Sequence, residues 1–266
     1  MANNALAIGF GSNWGLAMKG AHMFMSAYPQ VHRARRVSRL VRAIPSGNVT
    51  ATMAEAGGFL DPILMFEEIS TTEALDDRSF RGVEAVTYML QGRLRHGGSY
   101  GHGEVEEGGA LWLTAGRGVT HAQAPLPSND GVRGARLRLA ASTAEGAATP
   151  SHRDIPAEDI PAVIFKSAEV RMLAGQFHGL IGPIMPAARP FIADVQLKRE
   201  GEVALDIPEG YQGLVYVFEG GVAIEQTLVN PGQAAVLEDG NLLNLVAGGD
   251  GARALVVMAR PLRQPI

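Results

Sequence analysis

The sequence predicts an all-β protein built as two small antiparallel barrels. Three observations point there. The 266-residue chain carries 33 glycines and 15 prolines, a punctuation that favours many short strands over long helices. Between those breaks apolar and polar residues alternate, as they do on strands with one buried face. The two halves of the chain also share a rhythm, which reads as a weak internal repeat.

The first thirty residues are mildly apolar, but Asn13 and Lys19 interrupt them and no basic stretch leads in. They read as a poorly ordered extension over 1–32 rather than a signal peptide, with Met23 and Met25 as alternative starts. GFGSNWG within them has no strand–helix context and so is not a phosphate loop. HRARRVSRLVR, His32 to Arg42, alternates apolar and basic residues. It reads as the solvated face of a first strand, because the net charge of −4 gives no footprint for direct nucleic-acid or membrane-surface binding.

Strands then fit MLQGRLRH, GALWLTAG, GVTHAQAP and GARLRLAA, with the hairpin turn GGSYGHG between the first two. These place a first domain over 33–143. STAEGAATPSHRDIPAEDIP changes texture to small residues and prolines, and reads as a linker over 144–160. Strand signals resume in a second domain over 161–266, among them FIADVQLKREGEVALDI, GLVYVFEGGVAIEQT and ARALVVMA. The repeat is visible in the strand closings YMLQG and YVFEG, each followed by a turn (EEGG, NPG) and a short apolar strand.

Composition narrows function further. The chain has no cysteine, which excludes disulfides, thiolate metal sites and cysteine nucleophiles together and is compatible with the cytoplasmic location expected here. No run of about 18 apolar residues predicts a membrane helix.

Two segments carry a resemblance. GALWLTAGRGVTHAQAP, Gly109 to Pro125, and FRGVEAVTYMLQG, Phe80 to Gly92, resemble the pirin family, two-domain members of the cupin superfamily. DPILMFEE at Asp61 to Glu68 and the ending ARPLRQPI extend the match from about Arg35 to Pro265. The resemblance implies a bicupin, two jelly-roll-like cupin barrels. It also implies a metal in the first barrel, commonly iron, held by a His-x-His pair before the R-G block, a His after A-G-R-G, and a Glu two residues later. Those positions fall here on Arg78, Phe80, His121 and Gln123. One ligand type of four survives, and a catalytic metal needs at least three. No resident cofactor is therefore expected.

Side chains two apart on a strand share a face. An extended arm would aim Arg78, Phe80 and Glu84 into the barrel mouth opposite His121 and Gln123, unless Gly82 inserts a bulge that shifts the parity. Two readings follow: a metal-free pocket for a small ligand, anions included, with Glu84 as partner to Arg78, or a vestigial site with Arg78 in solvent and Phe80 plugging the barrel. His96 and His102 at the hairpin, and His22, His32, His152 and His178 elsewhere, read as surface or locally bonded residues. Trp112 reads as core. The expected function is a metal-free scaffold that binds a small molecule or regulates through a protein partner; the alternative is a quercetin 2,3-dioxygenase-like enzyme, as some pirins resemble. A third reading, metal-free acid–base catalysis by His121 and Glu84, requires the two within hydrogen-bond reach.

Overall fold

The computed structural model describes residues 32–42, 44–46, 49–51, 60–127, 131–142, 146–186 and 188–263; the side chains at 44–51 and 76–78 lie outside that description. The expected extension, apart from His32, and the side chain of Arg78 therefore fall outside the described residues. The strands of the first half are β1 (Val37–Arg42), β2 (Ile44–Ser46), β3 (Val49–Ala51), β4 (Ile63–Thr71), β5 (Leu75–Phe80), β6 (Val83–Gln91), β7 (Arg93–Gly98), β8 (Gly101–Glu106), β9 (Ala110–Thr114), β10 (Val119–Pro125), β11 (Val132–Ala140) and β12 (Ser151–Ile155). Those of the second are β13 (Ala162–Ile164), β14 (Ala168–Ala174), β15 (Gln176–Phe177), β16 (Leu180–Ile181), β17 (Phe191–Leu197), β18 (Glu202–Asp206), β19 (Gln212–Ile224), β20 (Thr227–Val229), β21 (Gln233–Leu237) and β22 (Leu242–Ala259). Among the described residues no helix is long and apolar enough to cross a membrane.

In the first barrel a seven-stranded sheet, β12-β9-β6-β11-β4-β3-β2, closes against a four-stranded sheet, β5-β10-β7-β8. Between them lies an apolar core that includes Ile69, Met89, Leu94, Leu113 and Val119. The second barrel is a single nine-stranded sheet, β1-β21-β19-β22-β17-β14-β13, with β18 on β22 and β20 on β19. Register shifts in β19 at Val217/Glu219 and Gly220/Val222 bend that long strand. Bulges of this kind let one sheet curl around its own core, here Val195, Leu205, Val217, Leu245 and Val256. The bicupin fold is thus as expected.

Strand parity divides the first barrel's side chains between two cores. Along β6, Val83 and Met89 face the barrel interior, while Val86, Tyr88 and Leu90 face a third cluster shared with Leu214, Tyr216 and Leu255 of the second barrel. Each fully buried apolar side chain of this size contributes about 1.5–3 kcal/mol, so the two barrels are fused by a core rather than tethered. Polar groups within that seam are satisfied. The Tyr88 hydroxyl donates to Asp194 Oδ2 at 2.8 Å, and Arg253 donates to both Asp194 oxygens at 3.2 and 2.8 Å.

Two expectations need correction. The strand expected to open the first domain, β1, instead extends the second barrel's sheet, with Leu40 opposite Ala235 and Arg42 opposite Gln233. It covers the edge of β21, which would otherwise present unpaired backbone groups, and buries Val41 in the seam. The stretch expected as a linker holds β12, paired along its whole length with β9 from Ser151↔Thr114 to Ile155↔Ala110. Its small residues and prolines hid a five-residue strand.

Candidate functional site in the first barrel

β5 and β10 pair antiparallel, with Phe80 opposite Val119 and Arg78 opposite His121. The ladder therefore brings Phe80, His121 and Gln123 together, and sets the backbone of Arg78 beside them. The Phe80 and His121 rings meet edge to face, with centroids 5.8 Å apart at 71°. Gln123, buried, donates from Nε2 to Thr87 Oγ1 at 2.9 Å. On β11 the residues at 132, 136 and 138 share one face, and Val132 belongs to the barrel core. That parity delivers two cations that sequence reasoning did not place. Arg138 lies 4.6 Å above the Phe80 ring, and Arg136 forms a buried ion pair with Glu67 at 2.6 Å.

Glu84 is not on this face, which corrects the expectation that it points into the barrel mouth. Trp112 Nε1 and Thr114 Oγ1 both donate to Glu84 Oε2, on the seam side of β6. The reason is Gly82. Its φ of +65° breaks the strand between Phe80 and Val83, so the parity counted along the arm is not carried across. Acid–base catalysis by His121 with Glu84 loses its geometric basis for the same reason.

Burial holds the His121 pKa down to about 4, with His96, Arg136 and Arg138 adding to the effect and the Gln123 side chain opposing it. His121 is thus neutral at pH 7. The residues at the family's ligand positions do not fit the family's metal. They supply one imidazole and one neutral amide oxygen, that of Gln123; Phe80 has no donor atom, and two guanidinium groups lie within electrostatic reach.

A chain of polar contacts leads away from His121 along the barrel wall. Its Nδ1 lies 2.6 Å from Tyr100 Oη, which lies 3.2 Å from Nδ1 of His96, whose Nε2 lies 2.7 Å from Asp154 Oδ1. With Asp154 ionised the protons are fixed by elimination. His96 Nε2–H donates to the carboxylate, so its Nδ1 must accept from the Tyr100 hydroxyl, and Tyr100 Oη accepts from His121 Nδ1–H. Burial lowers the His96 pKa and, with Asp154 adding, raises that of Tyr100. His152 packs edge-on against His96 and Tyr100, with centroids 5.3 and 5.1 Å apart.

Beside this network is an open groove of about 470 Å³, lined by Ser79, Phe80, Arg81, Ser99, Arg117 and Thr120 at the facing ends of β5 and β10. Arg81 and Arg117 are exposed.

The sequence matches the pirin family over residues 47–138 and the pirin C-terminal cupin domain over 192–266. A Pseudomonas aeruginosa protein provisionally named quercetin 2,3-dioxygenase is 32% identical over 223 residues, 77% of this chain and 78% of that one. The chain belongs to the pirin family. A pirin-like protein of Arabidopsis thaliana is 28% identical over 223 residues, covering 78% of this pirin and 72% of the plant protein. Among solved structures, a Geobacillus kaustophilus protein superimposes with a TM-score of 0.79 at 25% identity, over 89% of this chain and 100% of that one.

The histidines that this pirin assembles were read from the sequence as dispersed. His96 is 2% exposed, not at a solvated hairpin tip. His152 and Asp154 share a face of β12 because they are two apart, which was legible. That β12 would run beside β8, opposite His96, was not. Among the remaining histidines, His102 and His32 are exposed, and His178 packs against Phe165 and Phe177 in the second half.

Proposed function

We propose that this pirin is a binding scaffold that takes a small organic anion at the mouth of its first barrel, with no metal at the position its family motif provides. The observation that carries this reading is the groove, with the Phe80 ring on its wall and Arg81 and Arg117 beside it. An aromatic wall next to guanidinium groups suits a small carboxylate, whose apolar body the wall can shelter and whose oxygens a guanidinium can bind bidentately. The groove's volume falls within the range of small-molecule sites. Arg138 on the Phe80 ring adds positive potential behind the wall. Occupancy of such a site is the signal that a regulatory scaffold would pass to a protein partner.

Calorimetric titration of chelator-treated protein with benzoate and salicylate tests the reading. Saturable binding is expected, weakened by Arg117→Ala and by Phe80→Ala, and reduced at high salt. Absence of saturable binding would overturn it. The name of the Pseudomonas relative supports the alternative, a flavonol dioxygenase. Oxygen uptake with quercetin after iron loading distinguishes the two, and none above background is expected.

A further inference from the structure

We infer that His96, His152 and Asp154 form a binding site for one divalent transition-metal ion, displaced along the barrel wall from the family's position. A ligand atom from each of the three lies within 4.8 Å of the other two. Side-chain shifts of less than about 1 Å would bring them to the roughly 2.0–2.2 Å bond lengths of metal–nitrogen and metal–oxygen ligation. Two imidazoles and one carboxylate form a donor set suited to zinc, nickel, cobalt or ferrous iron rather than magnesium or calcium, and three protein ligands leave a coordination position open.

The surroundings are built for this space. β8 crosses it with glycines. A Cβ on Gly103 would collide with the Asp154 carboxylate and come within 2.7 Å of His96 Nε2, and one on Gly101 would lie 2.9 Å from the His152 ring. Side chains of β8 are thus kept out of the three residues' meeting point. The Asp154 side chain is 34% exposed while that of His96 is fully buried, so an ion has a way in and a fixed ligand at the inner end.

A second observation concerns the relay behind His96. In the proton arrangement derived above, His121 carries its hydrogen on Nδ1, so its ring cannot donate from Nε2 to the neighbouring Gln123 side chain, whose buried Oε1 has no other hydrogen-bond partner. A metal on His96 Nε2 requires that nitrogen to be bare and the hydrogen to sit on Nδ1, donating to Tyr100 as ligating histidines ordinarily donate to an outer partner. The Tyr100 hydroxyl then donates to His121 Nδ1, and His121 carries its hydrogen on Nε2, free to donate to Gln123 Oε1. No net proton is released, because the one that leaves His96 Nε2 is matched by one taken up at His121 Nε2. Metal occupancy thus completes a hydrogen-bond network that is one bond short without it.

The test is calorimetric titration of the chelator-treated full chain with zinc chloride and with cobalt(II) chloride. One ion per chain is expected, with His152→Ala and Asp154→Asn each weakening binding at least tenfold and His102→Ala, on the exposed face of β8, leaving it unchanged. Should a β12 variant unfold, the visible absorption bands of cobalt ligated by nitrogen and oxygen supply a measure on the unmodified chain, together with histidine ring-nitrogen NMR. The bands should rise to saturation at one equivalent, and His121 should switch from the Nδ1–H to the Nε2–H tautomer as zinc is added. No binding at either metal, binding untouched by both β12 changes, or binding abolished by His121→Ala but not by His152→Ala would overturn the inference.

Discussion

The Tyr100 hydroxyl lies 2.6 Å from Nδ1 of His121. That contact fastens the one surviving family ligand to the polar chain that ends at Asp154, and it fixes the orientation of the His121 ring. It also makes Tyr100 a structural link between β10 and β7. Removing the hydroxyl leaves nitrogens of two buried imidazoles without their shared partner. A net hydrogen bond contributes about 1 kcal/mol, and a buried polar group left unmet costs about 1–3 kcal/mol. Tyr100→Phe should therefore lower stability by about 2 kcal/mol, read as a reduced urea midpoint with an unchanged m-value. A midpoint equal to that of the unmodified chain would show that the contact contributes nothing.

His121 makes a second measurement decisive. Its pKa is held near 4 in the folded chain, against about 6.5 in an unfolded one. The unfolded state therefore binds more protons between those values, and stability rises with pH wherever that holds. The contribution is fully present above about pH 6.5 and is lost as pH falls toward 4, by up to about 3 kcal/mol at 1.36 kcal/mol per unit of pKa. His96, whose pKa is also lowered, slopes the same way. His121→Gln should flatten the stability profile between pH 6.5 and 4 without removing the His96 part. An equal slope in both proteins would show that His121 titrates normally.

How much of this was legible follows from the range of each signal. Alternation along β9, β10 and β11 placed the strands, and the motif positions placed Phe80, His121 and Gln123 together, because those signals are local. Glu84 was misplaced by a single backbone angle at Gly82, which no pattern of apolar residues encodes. Arg136 and Arg138 on β11 add guanidinium groups that the motif positions did not announce. Alternation along β11 puts them on the side of Val132, but which side meets the site is decided by the pairing of β11 with β4 and β6. β1 joining the second barrel and β12 running beside β8 are pairings between residues far apart in the chain, decided by which edges remain to be covered.

Asp194 is fully buried in the seam between the barrels, held by Tyr88 from the first and by both arms of the Arg253 fork from the second. Breaking a buried pair by removing one partner leaves the other charge uncompensated and typically costs 3–5 kcal/mol. Asp194→Ala should cost about that much and Tyr88→Phe about 1–2 kcal/mol. Because the shared core fuses the barrels, the Asp194→Ala chain should still unfold in one transition. Two separated transitions in calorimetry would show that the polar contacts, and not the apolar seam, couple the halves.

The last prediction concerns the family's own metal position, measured in a His152→Ala background so that the displaced triad does not take up ions. There the chain should retain well under one iron, zinc or nickel ion after dialysis. Restoring the ligand types with Arg78→His, Phe80→His and Gln123→Glu returns four donors to a ladder whose register, Arg78 opposite His121, is already in place. The structure says that this alone falls short, because Arg138 lies 4.6 Å from the ring at position 80 and stays charged at any working pH. A divalent ion about 5 Å from that guanidinium is repelled on the order of 6 kcal/mol at an effective dielectric of about 20. The triple variant should therefore hold metal weakly, and adding Arg138→Leu should raise the content to near one ion per chain by elemental analysis. Equal metal in the triple and quadruple variants would show that Arg138 swings away. No metal in either would show that the arm between Asp77 and Gly82 no longer presents its side chains to the barrel interior.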